Sequence, residues 1–92
     1  MKTIVLDFSK CRYIGEIHKV LKDSFDFPDY YGKNLSALWD CLRYYDFDED
    51  IKVSVIGTSK APKELQEHIG KMLNIFSRVH TESPNINFEI IS

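Results

Sequence analysis

Apolar positions change their spacing several times along the chain, and each change marks an element. Ile4, Val5 and Leu6 are consecutive, as in a strand covered on both faces, so Thr3 to Phe8 reads as a short strand. After a connector from Ser9 to Arg12, Ile14, Ile17, Leu21 and Phe25 follow the helical period with Val20 alongside. They predict a helix from about Tyr13 or Ile14 to Ser24. Gly15 weakens its first turn. His18 falls beside Ile17 near the buried stripe, where a lone histidine is more often a hydrogen-bonded boundary residue than a catalyst. Phe25, Asp26 and Phe27 suggest an extended segment that lays at least one ring on the core, and Pro28 ends it by fixing φ and removing a donor.

The stretch Tyr30-Tyr31-Gly32-Lys33-Asn34-Leu35-Ser36-Ala37-Leu38-Trp39-Asp40-Cys41-Leu42 then joins a turn, a helix start and an amphipathic helix. Gly32 permits a positive φ that its neighbours reach only at a cost. Asn34 is a good N-cap, because its side-chain oxygen can accept from a backbone N–H two or three residues on. Leu35, Leu38, Leu42 and Tyr45 recur at helical spacing toward the core, flanked by Ala37 and Cys41. Ser36, Asp40 and Arg43 recur on the opposite side, with Trp39 between the two faces. From Tyr44 to Asp50 aromatics and acids mix. Four carboxylates there are too costly to bury unpaired, so Tyr45 and its neighbours either cover the helix end or extend a binding surface.

Ile51, Val53 and Val55 alternate with Lys52 and Ser54, which predicts a strand over Ile51 to Ile56. Gly57-Thr58-Ser59 is a turn. Pro62 suits the first turn of a helix, and Leu65, Ile69, Met72, Leu73, Phe76 and Val79 keep one face to about His80. Gly70 is a candidate break within it, and one helix or two both remain open. Ser83-Pro84 stops the helix, and Ile86, Phe88 and Ile90 alternate as a last strand. Strands joined by helical crossovers predict an α/β fold: a small three-stranded parallel sheet packed with three or four helices.

Length and charge narrow the function. Ninety-two residues make one domain, 1–92, with a modest core. No apolar run approaches the roughly 20 residues that span a bilayer. The start of the chain lacks the apolar core and cleavage site of a secretory signal, so a cytoplasmic protein is expected; a monomer is expected separately. Cys11 and Cys41 have no metal-ligand spacing and read as free thiols; neither metal nor cofactor is expected. The net charge of −2 hides an asymmetry. Asp26 to Asp50 carries seven acids and two bases, a net of −5, and the rest of the chain a net of +3. An acidic segment bearing aromatics repels nucleic acid and attracts a basic protein. The one candidate catalytic set is Cys41 with His18, His68 or His80. Cys41 lies toward the buried side of its helix, where cysteine is usually inert, so no enzyme is expected.

The run Tyr30 to Leu42 resembles the signature of the barstar family, small bacterial inhibitors of secreted guanyl-specific ribonucleases. The preceding helix and the apolar last strand agree with it. The resemblance implies the three-stranded α/β fold, with two helices where the residues leave one or two open. It also implies a basic protein partner, a guanyl-type ribonuclease. On the family's pattern Asp40 is the central acid that takes the place of substrate phosphate, through charge-assisted hydrogen bonds to basic side chains. Tyr30 would pack on the enzyme's catalytic histidine, Gly32 and Asn34 would touch its base-recognition side, and Trp39 would lie beside the interface. Ser36 stands where the best-known members carry an acid, and Arg78 where they carry a glutamate; Arg43 adds a further base to the polar face. The candidate partner-binding residues are therefore Tyr30, Gly32, Asn34, Ser36, Trp39, Asp40, Arg43 and Tyr45. The alternative is an immunity or antitoxin-like module against a toxin that is not a ribonuclease.

Overall fold

The structure, a computed structural model, describes residues 2–29, 31–32, 34–43 and 49–91. Strands β1 (Lys2–Asp7), β2 (Ile51–Ile56) and β3 (Ile86–Ile91) form one parallel sheet in the order β1-β2-β3. Helices α1 (Ile14–Phe25) and α2 (Leu35–Arg43) cross from β1 to β2, and α3 (Lys63–Glu82) crosses from β2 to β3. A single 3₁₀ turn, Thr58–Lys60, precedes α3. This is the expected α/β class, with three helices on three parallel strands.

Strand order follows chain order, so both crossovers step the same way across the sheet. Right-handed connections then place all the helices on one face. Ile4 and Leu6 of β1, Ile51, Val53 and Val55 of β2, and Ile86 of β3 are buried, while Val5 is 53% and Ile91 47% exposed. The expectation that β1 is covered on both faces is therefore corrected. Val5 lies in register with Ser54 and Glu89 on the open face. Three consecutive apolar residues cannot by themselves distinguish a two-sided strand from a one-sided strand with an exposed valine.

The helices bury the stripes their periods define: Ile17, Leu21 and Phe25; Leu38 and Leu42; Leu65, Ile69, Met72, Phe76 and Val79. Ile14, at the first position of α1, is an exception and is 46% exposed. Phe88 on the outer strand stacks on Phe76 with ring centroids 4.4 Å apart. Glu16 folds back at the start of α1, its Oε1 accepting from the N–H groups of Arg12 (2.9 Å) and Tyr13 (3.2 Å). The helix ends at Asp26, which is left-handed (φ 56, ψ 46), rather than running on into extended chain. That reversal lets the Phe27 N–H donate to the Lys22 carbonyl and brings both Phe25 and Phe27 into the core, rings stacked 5.3 Å apart.

Two expectations about the second half are refined. Pro62 is the N-cap, with ψ of 152, and not a residue of the first turn. α3 runs 20 residues without a break at Gly70, because Ile69 and Met72 on either side are anchored in the core. Gly57 does require its lack of a side chain. Its φ is 76, and a Cβ there would lie 2.6 Å from the Ser9 nitrogen, where the chain leaves β1.

Candidate partner-binding surface

α2 presents its polar face because its other face cannot leave the core. Leu38 and Leu42 are fully buried, so Ser36, Asp40 and Arg43 project outward and are exposed, with Trp39 half-buried between them. Asn34 caps the helix as its residue type predicted. Its Oδ1 accepts from the Ala37 N–H at 2.8 Å, and its backbone carbonyl accepts from the Leu38 N–H at 2.9 Å. The other end of the same amide, Nδ2, donates to the Gly32 carbonyl at 3.2 Å and ties the preceding loop to the helix start. Gly32 itself does not adopt a positive φ, which corrects that expectation. A Cβ there would meet the Ala37 Cβ and the Asn34 Nδ2 at 3.4 Å, ordinary contact at its near edge, so neither handedness nor a clash demands glycine. Tyr30 and Tyr45 lie outside the described residues.

Beneath this loop runs a buried chain of three side chains that residue spacing did not reveal. The Tyr31 hydroxyl is 2.5 Å from His18 Nδ1, and His18 Nε2 is 2.9 Å from His68 Nε2. Two protons link three groups, so both imidazoles can be neutral and every buried polar atom satisfied. Burial, helped by the neighbouring His68, pushes His18 down to about 4. Burial followed by Lys71 lowers His68, and burial followed by Cys41 raises Tyr31 above the usual phenol range. The expectation of a hydrogen-bonded histidine at position 18 holds, but it is a core residue at 0% exposure and not a boundary one. His68 lies 50 positions further on, beyond the reach of any local periodicity.

Trp39 brings together residues from two helices. The Arg78 guanidinium of α3 lies over its ring, 4.6 Å from the centroid, and that of Arg43 lies at 5.6 Å. These three residues line a shallow cleft with Thr81 and Glu82. Arg78 was legible only as a departure from a family pattern. Its contact with Trp39 is a product of α2 packing against α3.

Neither cysteine is disposed for nucleophilic work. Both are free; Cys11 is buried and Cys41 half-buried. Burial, with the Asp40 charge beside it, raises the Cys41 thiol, which keeps it protonated near neutrality. Among the described residues His18 and His68 hold each other, and His80 Nδ1 is engaged with the Ile86 carbonyl at 2.6 Å. No group of three or more His, Cys, Asp or Glu side chains among the described residues could hold a metal ion. No described helix is long and apolar enough to cross a membrane.

The one-sided parallel sheet thus holds up a capped helix whose outer face carries an exposed acid beside a half-buried tryptophan. The family model described as "Barstar (barnase inhibitor)" matches residues 1–91, and the chain belongs to that family, one of inhibitors and not of enzymes. A protein of Bacillus subtilis (strain 168) described as "Putative ribonuclease inhibitor YrdF" is 55% identical over 42 residues. That match covers 46% of this chain and 46% of the relative, just under half the length of the curated protein.

Proposed function

We propose that this chain inhibits a guanyl-specific, barnase-like ribonuclease in the cytoplasm. It binds as a monomer, one to one, and lays α2 and the loop before it over the enzyme's active site. Family membership and the relative's description both support a ribonuclease-inhibitor-like role. The observation that carries the finer reading is Asp40, exposed on the outer face of a helix whose inner face is fixed in the core. There a carboxylate can enter a phosphate-binding site with little loss of its own freedom. Tyr30, Gly32, Asn34, Ser36, Trp39, Arg43 and Tyr45 would surround it. The free thiols suit a reducing compartment.

The test is calorimetric titration of a guanyl-specific ribonuclease, with RNA cleavage followed in parallel. Asp40→Ala is expected to weaken binding by at least about 2 kcal/mol, as at an interface hot spot, without lowering the melting temperature. Large couplings between charges across an interface are already known in this family, so a large effect would extend that behaviour and is not a magnitude obtained from this structure. Loss of folding in Asp40→Ala would make the residue structural. The second reading, neutralisation of a toxin that is not a ribonuclease, has one observation in its favour. Two arginines occupy the docking side of Trp39, and a uniformly basic enzyme surface would meet them with like charge. Binding to no enzyme of a guanyl-specific panel would favour it.

A further inference from the structure

The arginines at Trp39 change the sign of part of the surface proposed above. Arg78 reaches the indole from α3 and Arg43 from one turn further along α2. A guanidinium over an aromatic ring uses its face for the contact, which leaves its in-plane N–H donors to an acceptor at the edge. Among the described residues Arg78 has no carboxylate partner. Glu82, placed for a helical pair four residues on, lines the same cleft without forming one. Arg78 is thus held in place by Trp39 while its charge is directed outward. This is a preorganised fork packed on α2, the helix that also carries the exposed Asp40 one residue beyond Trp39.

Resting on the ribonuclease-inhibitor reading, we propose that the enzyme bound by this chain presents an aspartate or glutamate side chain to Arg78, next to the basic groups that receive Asp40. The interface is then of alternating sign and not uniformly acidic on this side. A carboxylate matches the two-pronged geometry of guanidinium. A nucleic acid fits less well. Its successive phosphates would run past Asp40 and Glu82 as well as the arginines, on a chain whose net charge is −2. A single acid flanked by bases meets each group with the opposite charge. The same arrangement is a device for selectivity, since a ribonuclease lacking that acid would set its bases against Arg78 and be rejected.

The test titrates the full chain against a panel of catalytically inactivated guanyl-specific ribonucleases, using wild type, Asp40→Ala, Arg78→Gln and Arg78→Glu. Thermal melting confirms that each is folded. For an enzyme that binds the wild type, Arg78→Gln is expected to lose about tenfold and Arg78→Glu on the order of 100-fold or more, as when one partner of a desolvated charge pair is removed or reversed. Replacing one acidic residue on the enzyme's face with arginine should restore at least about tenfold of the affinity to Arg78→Glu, because the pair is reformed with its charges exchanged. If Arg78→Glu binds as tightly as wild type or tighter while Asp40→Ala is weakened, the inference is overturned and the inhibitor reading stands. If a short RNA competes at Arg78 and no acidic replacement rescues Arg78→Glu, the cleft reads phosphate and the inference is also overturned. If no enzyme in the panel binds the wild type, the inhibitor reading fails and this inference fails with it.

Discussion

His18 concentrates the clearest residue-level consequence of the fold. It is fully buried, bridged to Tyr31 and His68, and its pKa is pushed down to about 4 by burial and by His68. In the unfolded chain a histidine takes up its proton near pH 6.5. Between those values the unfolded state binds the extra proton and the folded state does not, so stability is fully present above about pH 6.5 and falls as pH drops toward 4. The loss from this one group is expected to be about 3 kcal/mol. Urea unfolding at pH 7 and pH 4.5, compared between wild type and His18→Gln, measures it. The same dependence in both proteins would assign the acid sensitivity to other groups. In structural terms protonation turns the one accepting nitrogen of His18 into a second donor, so its link to Tyr31 or to His68 must rearrange around a buried charge.

At the level of elements, two glycines that look alike in sequence have opposite roles. Gly70 sits in the middle of α3 with ordinary helical geometry, and nothing lies within 4 Å of an added Cβ. Gly70→Ala should raise stability by roughly 0.5–1 kcal/mol, because alanine loses less backbone freedom on forming the helix. Gly57 is left-handed and its added Cβ would press on the Ser9 backbone at 2.6 Å. Gly57→Ala should cost about 2 kcal/mol or more, from the left-handed conformation together with the displacement of the β1 exit. Chemical denaturation of both variants checks the pair. Equal and opposite small effects would mean that the β1 exit yields easily. The cap at Asn34 belongs to this scale too, since it fixes where α2 begins and hence which way Asp40 projects.

For the whole molecule the governing features are a one-sided sheet and an uneven distribution of charge along the chain. All the helices lie on one face, and the segment from Asp26 to Asp50, which contains α2, carries a net of −5 within a chain of net −2. On the proposed function this acidic segment steers a basic enzyme, so the association rate should fall as salt is raised past about 0.1 M, where screening acts over about 10 Å. Stopped-flow association at several ionic strengths measures the slope. A flat slope would exclude electrostatic steering and leave Asp40 with a contact role alone. The Arg43–Trp39–Arg78 group opposes the trend locally, which on the proposed reading matters at contact and not during the approach.

The residue order by itself determined the α/β class, the three strands, the buried stripes of the helices and the cap at Asn34. Each depends on neighbours within a turn or two, and the 3.6 and 2 periods record them directly. It also placed Asp40 opposite Leu38 and Leu42, since helical spacing fixes which side chains share a face. The tertiary structure alone decided that one face of the sheet stays open, because coverage depends on the direction of both crossovers and not on any strand's own residues. It decided that α3 continues through Gly70, as anchoring of Ile69 and Met72 in the core outweighs glycine's local preference. It also decided the meetings of Tyr31 with His18 and His68, and of Trp39 with Arg78. Those contacts join residues from separate elements, and only the packing of α1 and α2 against α3 brings them within reach.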